Sequence, residues 1–334
     1  MTDVMTPAPP EPELEADEVP MRPTVRPNGG DRVFLGITKA AGFSTFVIMT
    51  AIGIFLLKGA WPTLQREGAS FFTGYEWNAA AEGGGDFGVA VVVYYTIAIA
   101  VVAMAIAVPL AIITALFVNE YAPRRVRPAL IAMVDLFAAV PSLIYGLWGR
   151  ELASTHLQDV ARWFDVHVSF IPPLRSPTNT YDGSTFIAAT IVALMIMPIA
   201  TAVIREVFAQ APVVEKEGAL ALGGTRWGMI RTVVLPFGKG GIIGGSMLAL
   251  GRALGEPIAV ALIIIPIFTP HLSISERGSN SVGSLIATKF SEAGPKELSA
   301  LIAAGIALFA ITLIVNFGAS FIVARSRSGA ATEG

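Results

Sequence analysis

Six long apolar stretches decide what this chain can become. They occupy residues 39–58, 87–118, 129–147, 186–208, 240–267 and 298–324. Each is close to or beyond the ~20 residues that a helix needs to cross a bilayer. A bilayer offers no water to backbone N–H and C=O groups, so a spanning segment is a helix or part of a closed barrel. The runs are continuous rather than alternating, which excludes the barrel and predicts an all-α polytopic membrane protein with six transmembrane helices. Only 14% of the residues are charged and 54% are hydrophobic, where an ordinary soluble domain is roughly 25% charged. Run 87–118 is longer than a bilayer needs at ~1.5 Å per residue, so it tilts, bends at Pro109 or projects into water.

What lies between the runs sets the orientation. Residues 1–31 hold seven acids and seven prolines, a composition that cannot bury a core, so residues 1–38 are expected to form a disordered tail. The segment lacks the basic start and short apolar core of a secretory signal. Six crossings put both termini on one side. With the N-terminus inside, the inner segments carry thirteen Lys and Arg and the outer loops eight, and the Arg124-Arg125-Val126-Arg127 turn is the most concentrated cluster. The positive-inside rule then places both termini, the tail 326–334 and the loop 209–239 in the cytoplasm of a plasma membrane protein. The outer loops are 59–86, 148–185 and 268–297. The second forms a short hairpin or a surface helix, and all three either hold a partner or simply connect spans.

Chemistry is sparse. Cysteine is absent, and His156, His167 and His271 lie outside the runs without metal-ligand spacing. Neither a catalytic dyad nor a nucleophile arrangement appears, so a membrane-embedded enzyme is excluded as the leading reading. Gly238-Lys239 is followed by glycine and preceded five residues earlier by Val233, which breaks the phosphate-loop pattern. Energy for any transport therefore comes from another chain or from an ion gradient.

Four ionisable residues fall inside the apolar runs, where a charge costs ~2.5–3.5 kcal/mol at mid-bilayer. Arg205 reaches toward the membrane surface, and Asp135 either does the same or bonds a neighbouring helix. Arg252 and Glu256 sit near the middle of the fifth run in GRALGEPIAV. Their i,i+4 spacing puts both on one helical face, close enough to pair. Two readings stay open. The pair neutralises itself and fixes packing, or the planar guanidinium fork of Arg252 binds an oxyanion. In the second, Glu256 holds the fork in the empty state and accepts a hydrogen bond from a protonated phosphate oxygen, which sulfate lacks. The spacings Gly240/Gly244 and Gly241/Gly245 permit close helix approach at the start of this run.

The stretch Pro212 to Pro236, PVVEKEGALALGGTRWGMIRTVVLP, is polar and basic between two apolar runs. Pro212 suits a first helical turn, with Glu215 and Glu217 close behind. Gly223-Gly224 breaks the helix, and Thr225 caps a second one. A helix–turn–helix outside the bilayer is predicted.

Glu217, Ala219, Gly223 and Val233-x-Leu235-Pro236 resemble the cytoplasmic EAA loop of ABC-importer permeases, with Gly218 where alanine is usual and Val233 where isoleucine is usual. Residues 139–149 (AVPSLIYGLWG) and 251–260 (GRALGEPIAV) resemble phosphate-importer permease subunits of the PstC type, with Glu-Pro in place of the usual Glu-Thr. The resemblance covers roughly residues 85–325. It implies the six-helix type I ABC importer permease (MetI-like) fold and a permease subunit of an ATP-driven inorganic phosphate importer. It also implies a second, PstA-type permease, an ATPase dimer and an extracytoplasmic phosphate-binding protein as partners, alongside membrane lipid and with no nucleic acid. By the same resemblance Glu217, Ala219, Gly223, Gly224, Leu235 and Pro236 dock on the ATPase, Arg252 and Glu256 serve phosphate passage, and no cofactor or metal is required. The competing readings are an ion-coupled secondary anion transporter, in which Glu256 or Asp135 carries a proton, and a permease of the same architecture for sulfate or molybdate.

Overall fold

A computed structural model describes residues 28–79 and 86–327. The expected disorder of the tail falls mostly on residues outside that range. Helix α1, however, already begins at Gly29 and runs to Glu67, ten residues ahead of the expected start. The signal is a short capping pattern: the Asn28 amide oxygen accepts the Gly29 N–H at 2.7 Å, while Asp31 accepts the Asn28 N–H at 2.9 Å. Contacts divide the chain after Ile52. Residues 29–52 of α1 belong to one unit, and the chain from Gly53 onward forms the other.

After α1 come α2 (Ser70–Thr73), strands β1 (Trp77–Asn78) and β2 (Asp86–Phe87), α3 (Ala90–Leu116), α4 (Arg127–Ala139), α5 (Ser142–Trp148) and α6 (Ser154–His167). Then follow α7 (Thr185–Ala209), α8 (Val213–Ala221), α9 (Arg226–Met229), α10 (Leu235–Phe237), α11 (Lys239–Gly255), α12 (Ile258–Ile263), α13 (Val282–Lys289) and α14 (Pro295–Arg327). Among the described residues, Gly29–Glu67, Ala90–Tyr121, Thr185–Ala209 and Pro295–Gly318 are single helical stretches long and apolar enough to cross a membrane. Two further helix pairs meet that test only together, bent by 89° and 65°.

The larger bend interrupts the apolar run expected to span at 129–147. Helix α4 stops at Ala139, and Val140 adopts an extended backbone (ψ 129°) before Pro141. The proline ring disfavours helical geometry in the residue ahead of it, so the apolar run turns there instead of continuing. The Tyr145 hydroxyl donates to the Phe137 carbonyl at 3.0 Å, which also accepts the Val140 N–H at the α4 terminus. Of the two forms expected for 148–185, a helix is present, α6, and it belongs to the more sharply bent pair. A small antiparallel pair, Trp77 opposite Phe87, forms in the first loop instead.

The core is the contact of α3 with α7 and of α7 with α11. Ala103, Ala107, Ala111 and Ala115 recur every four residues along α3 and are fully buried. This ridge of methyl groups joins Ile187, Ile191, Ile196 and Ile204 of α7 in one cluster. Small residues let two helix backbones approach closely where lipid provides no hydrophobic drive. Helix α3 continues through Pro109 without interruption and ends in a π-turn, Phe117–Tyr121. A second cluster joins the end of α1 to α14, where Ser299 bonds Thr63 Oγ1 at 2.9 Å and the Gly59 carbonyl at 2.8 Å.

Candidate translocation site and docking loop

Helix α11 presents two glycine faces with opposite uses. A Cβ on Gly241 would fall 2.5 Å from Val207 Cβ, and one on Gly245 would fall 3.1 Å from the Ala200 carbonyl oxygen. These two glycines let α11 lie against α7. Gly240, Gly244 and Gly251 would meet nothing within 4 Å, so of the two expected GxxxG spacings only Gly241/Gly245 serves packing. Gly244 and Gly251 instead line a cavity of about 610 Å³, with Met247, Leu248 and Arg252 of α11, Ile199 of α7 and Asn316 of α14.

Arg252 is brought to this cavity but not to Glu256. Among the described residues no ion pair joins the two. The i,i+4 expectation fails because α11 ends at Gly255 and Glu256 has an extended backbone (ψ 108°), the conformation that Pro257 imposes on its predecessor. The Glu256 side chain is buried, and its Oε1 accepts the Ala259 N–H at 3.2 Å. It thereby satisfies a free donor in the first turn of α12. Gly283 of α13 packs on this break, with its Cβ position 3.2 Å from Pro257 Cα. The fifth apolar run also leaves the helix at Ile264 rather than at 267, ahead of Pro266. Arg252 Nε is buried without a hydrogen-bond partner, which leaves a guanidinium beside a cavity with no carboxylate bonded to it. Sequence reasoning passed over Asn316, because an uncharged amide inside an apolar run gives no charge signal.

Asp135 takes the neighbouring-helix option, with Arg205 as the partner instead of a free side chain reaching the surface: Arg205 Nη2 lies 3.8 Å from Asp135 Oδ1, between α7 and α4.

The predicted helix–turn–helix is present, and its turn is satisfied internally. Leu222 ends α8, the Gly223 N–H bonds the Leu220 carbonyl, and the Gly224 N–H bonds the Ala219 carbonyl at 3.2 Å. Gly223 has φ +83°, the left-handed position that closes a Schellman-type helix end and that glycine adopts without steric penalty. Thr225 Oγ1 accepts the Gly228 N–H at 3.1 Å and caps α9, as expected. Glu217, Gly223, Gly224 and Pro236 are exposed, together with the apolar side chains Val214, Leu222 and Trp227. Ala219 and Leu235 are half-buried and pack inward on the main core, so they hold the loop to the bundle rather than face outward.

Two contacts tie this loop to the turn that ends α3, and two more tie that turn to α7 and α4. Lys216 Nζ bonds Glu120 Oε1 at 2.7 Å, with side chains only 17% and 9% exposed. Asn119 donates to the Arg205 carbonyl at 2.7 Å and accepts from Arg127 at 2.5 Å. The Arg226 guanidinium lies 6.0 Å from the Tyr121 ring centroid. π-Turns at Phe117–Tyr121 and Ile230–Val234 flank these contacts, an irregularity common at functional junctions.

Comparison with known proteins agrees with this arrangement. The family described as Binding-protein-dependent transport system inner membrane component matches residues 107–328. Phosphate transport system permease protein PstC 2 of Mycobacterium tuberculosis is 38% identical over 314 residues, covering 93% of this chain and 96% of the relative. The PstC permease protein of Mesorhizobium japonicum is 36% identical over 313 residues, 90% and 92% of the two chains. Among solved structures, a bacterial alginate ABC transporter in complex with an alginate-pentasaccharide-bound periplasmic protein superposes with a TM-score of 0.54 at 16% identity, covering 88% of this chain and 98% of that one. That likeness shows a shared fold. The chain belongs to the family of binding-protein-dependent transport system inner membrane components, with PstC permease proteins among its relatives.

Proposed function

We propose that this chain is the permease subunit of an ATP-driven inorganic phosphate importer, with Arg252 on the anion path. The observation that carries the reading is an arginine inside an apolar helix, bordering a cavity, with no carboxylate bound to it. A buried self-neutralising pair needs no substrate, whereas an unpaired guanidinium does need a counter-charge or water. A phosphate oxyanion matches the guanidinium fork in charge and in planar geometry. The names of the PstC relatives support phosphate as that anion.

In this reading the 212–236 loop lies in the cytoplasm with both termini, and its exposed Glu217, Val214, Leu222 and Trp227 face a separate ATPase. The chain supplies no ATP site of its own. Closure of the ATPase pair pushes the loop, and Lys216–Glu120 carries the push to α3. Helix α11, joined to the loop through α10, carries it to Arg252. A second permease subunit completes the wall of the path, and an extracytoplasmic phosphate-binding protein delivers the ion to the outer loops. Glu256 acts at the helix break, as the acceptor that fixes the start of α12.

Purification of the complex from native membrane tests the assembly. The reading expects an ATPase, a second permease and a phosphate-stimulated uptake that requires ATP. Uptake driven by a pH gradient with no co-purifying ATPase overturns it. Uptake of sulfate or molybdate in preference to phosphate overturns the substrate assignment alone.

A further inference from the structure

Two routes lead from the 212–236 loop to the break at Glu256-Pro257. The first is direct: α10 runs into α11, which ends at the break. The second begins at the π-turn Phe117–Tyr121. Three consecutive residues of that turn meet different elements. Glu120 holds Lys216 of α8, Tyr121 lies under Arg226 of α9, and Asn119 bonds α7 and α4.

Two bonds of opposite sense fix the Asn119 amide. Its Nδ2 donates to the Arg205 carbonyl at 2.7 Å, and its Oδ1 accepts from Arg127 Nη2 at 2.5 Å. A flipped amide would set a donor against the guanidinium and an oxygen against the carbonyl, losing both bonds. The bond to α7 is not a cap. Helix α7 continues to Ala209, so the Arg205 carbonyl already lies within the intrahelical ladder. Asn119 therefore ties elements together rather than completing one.

The element it ties is α4. Of the thirteen residues of α4 only Val134 is buried, so apolar burial holds this helix weakly. Two side-chain anchors fix it: Arg127 on Asn119, and Asp135 beside the Arg205 guanidinium. Asn119 holds the first directly and the second through the Arg205 backbone. The bend after α4 is stapled, because the Tyr145 hydroxyl of α5 donates to the Phe137 carbonyl of α4. Helix α5 then lies directly on α12, where a Cβ on Gly146 would fall 2.9 Å from Ala259 Cα. The second route thus ends across the break from Arg252.

A proline-broken helix engaged separately on each side has the geometry of a hinge, whose few element-terminal residues absorb the change of angle. Resting on the reading in which an ATPase pushes the 212–236 loop, we propose that Asn119 is the positioning residue that carries this push to α12. Helix α11, with Arg252, and α12 then swing against each other about Glu256-Pro257. Asn119 touches no substrate; it acts through α4 and α5.

The chain has no cysteine. Cysteines introduced at half-exposed Ile243 of α11 and exposed Ile258 of α12 can carry spin labels in the intact complex, its other subunits freed of reactive cysteine. Pulsed EPR reads the label distance without nucleotide and with ATP and vanadate. Phosphate imported per ATP hydrolysed is read on the same proteoliposomes. The distance is expected to change between the two states in the labelled parent. Asn119→Leu removes both bonds, and is expected to abolish that change and lower the import ratio about fivefold while the ATPase stays bound. Arg127→Leu is expected to do the same. Asn119→Asp keeps an acceptor for Arg127 and is expected to retain most of both. If assembled Asn119→Leu and Arg127→Leu complexes shift the labels and import phosphate per ATP as the parent does, the role of Asn119 is overturned, even where their thermal midpoints fall, and the ATPase-driven reading stands. A labelled parent that imports phosphate with ATP but shows no distance change overturns the hinge. A parent that imports phosphate without ATP overturns the reading on which the proposal rests.

Discussion

At the scale of single residues, two side chains that look like partners in the sequence have separate roles. Arg252 faces a cavity, and Glu256 closes a helix break. This makes their variants separable. Glu256→Gln keeps an acceptor for the Ala259 N–H, so uptake is expected within about twofold of the parent. Glu256→Ala leaves that donor buried and unbonded, which costs about 1–3 kcal/mol and is measurable as a lower thermal midpoint of the purified complex. Loss of uptake in Glu256→Gln at unchanged stability would give the carboxylate charge a direct part in transport. The sequence makes Arg252 legible because a charge in an apolar run is expensive wherever it lies. It misleads on the pair because i,i+4 reasoning assumes an unbroken helix, and Pro257 removes that assumption. Asn316 is silent in the sequence for the converse reason: an amide is tolerated in a span, and only its place on a cavity wall marks it.

At the scale of elements, the two faces of α11 respond oppositely to bulk. Gly241→Leu drives a side chain into Val207, so the expected outcome is loss of assembled complex. Gly244→Leu meets no neighbour and fills the cavity. Assembly is expected to persist while uptake falls at least tenfold, as read by co-purification and phosphate accumulation side by side. The 212–236 loop yields a third test. Glu120→Lys or Lys216→Glu alone places two like charges together in a nearly enclosed site, and either is expected to lower phosphate imported per ATP hydrolysed. The combined exchange restores an ion pair and is expected to recover most of that ratio. Equal ratios in parent and single variants would remove this pair from the coupling route. Apolar runs and the Gly223-Gly224 turn made most helices and this loop readable in advance. The bend at Pro141 was less visible, because the residues on both sides are equally apolar and only the proline marks the turn. The Lys216–Glu120 contact joins residues 96 apart, a distance that no local pattern spans.

At the scale of the whole molecule, the bundle connects an exposed loop to a lined cavity through a short mechanical route. Helix α10 leads directly into α11, α11 lies on α7 through two glycines, and α7 packs along the alanine ridge of α3. A push on the loop is therefore shared among the three helices that frame the main core, and Arg252 lies on one of them. This placement is what the proposed function requires of a permease driven by a separate ATPase. ATP-driven uptake of labelled phosphate by the purified complex in proteoliposomes, with Arg252→Lys and Arg252→Gln compared in assembled preparations, tests it most directly. The account predicts that Arg252→Lys keeps partial uptake and that Arg252→Gln loses nearly all of it while the ATPase stays bound. Uptake at the parent rate in an assembled Arg252→Gln complex would contradict it.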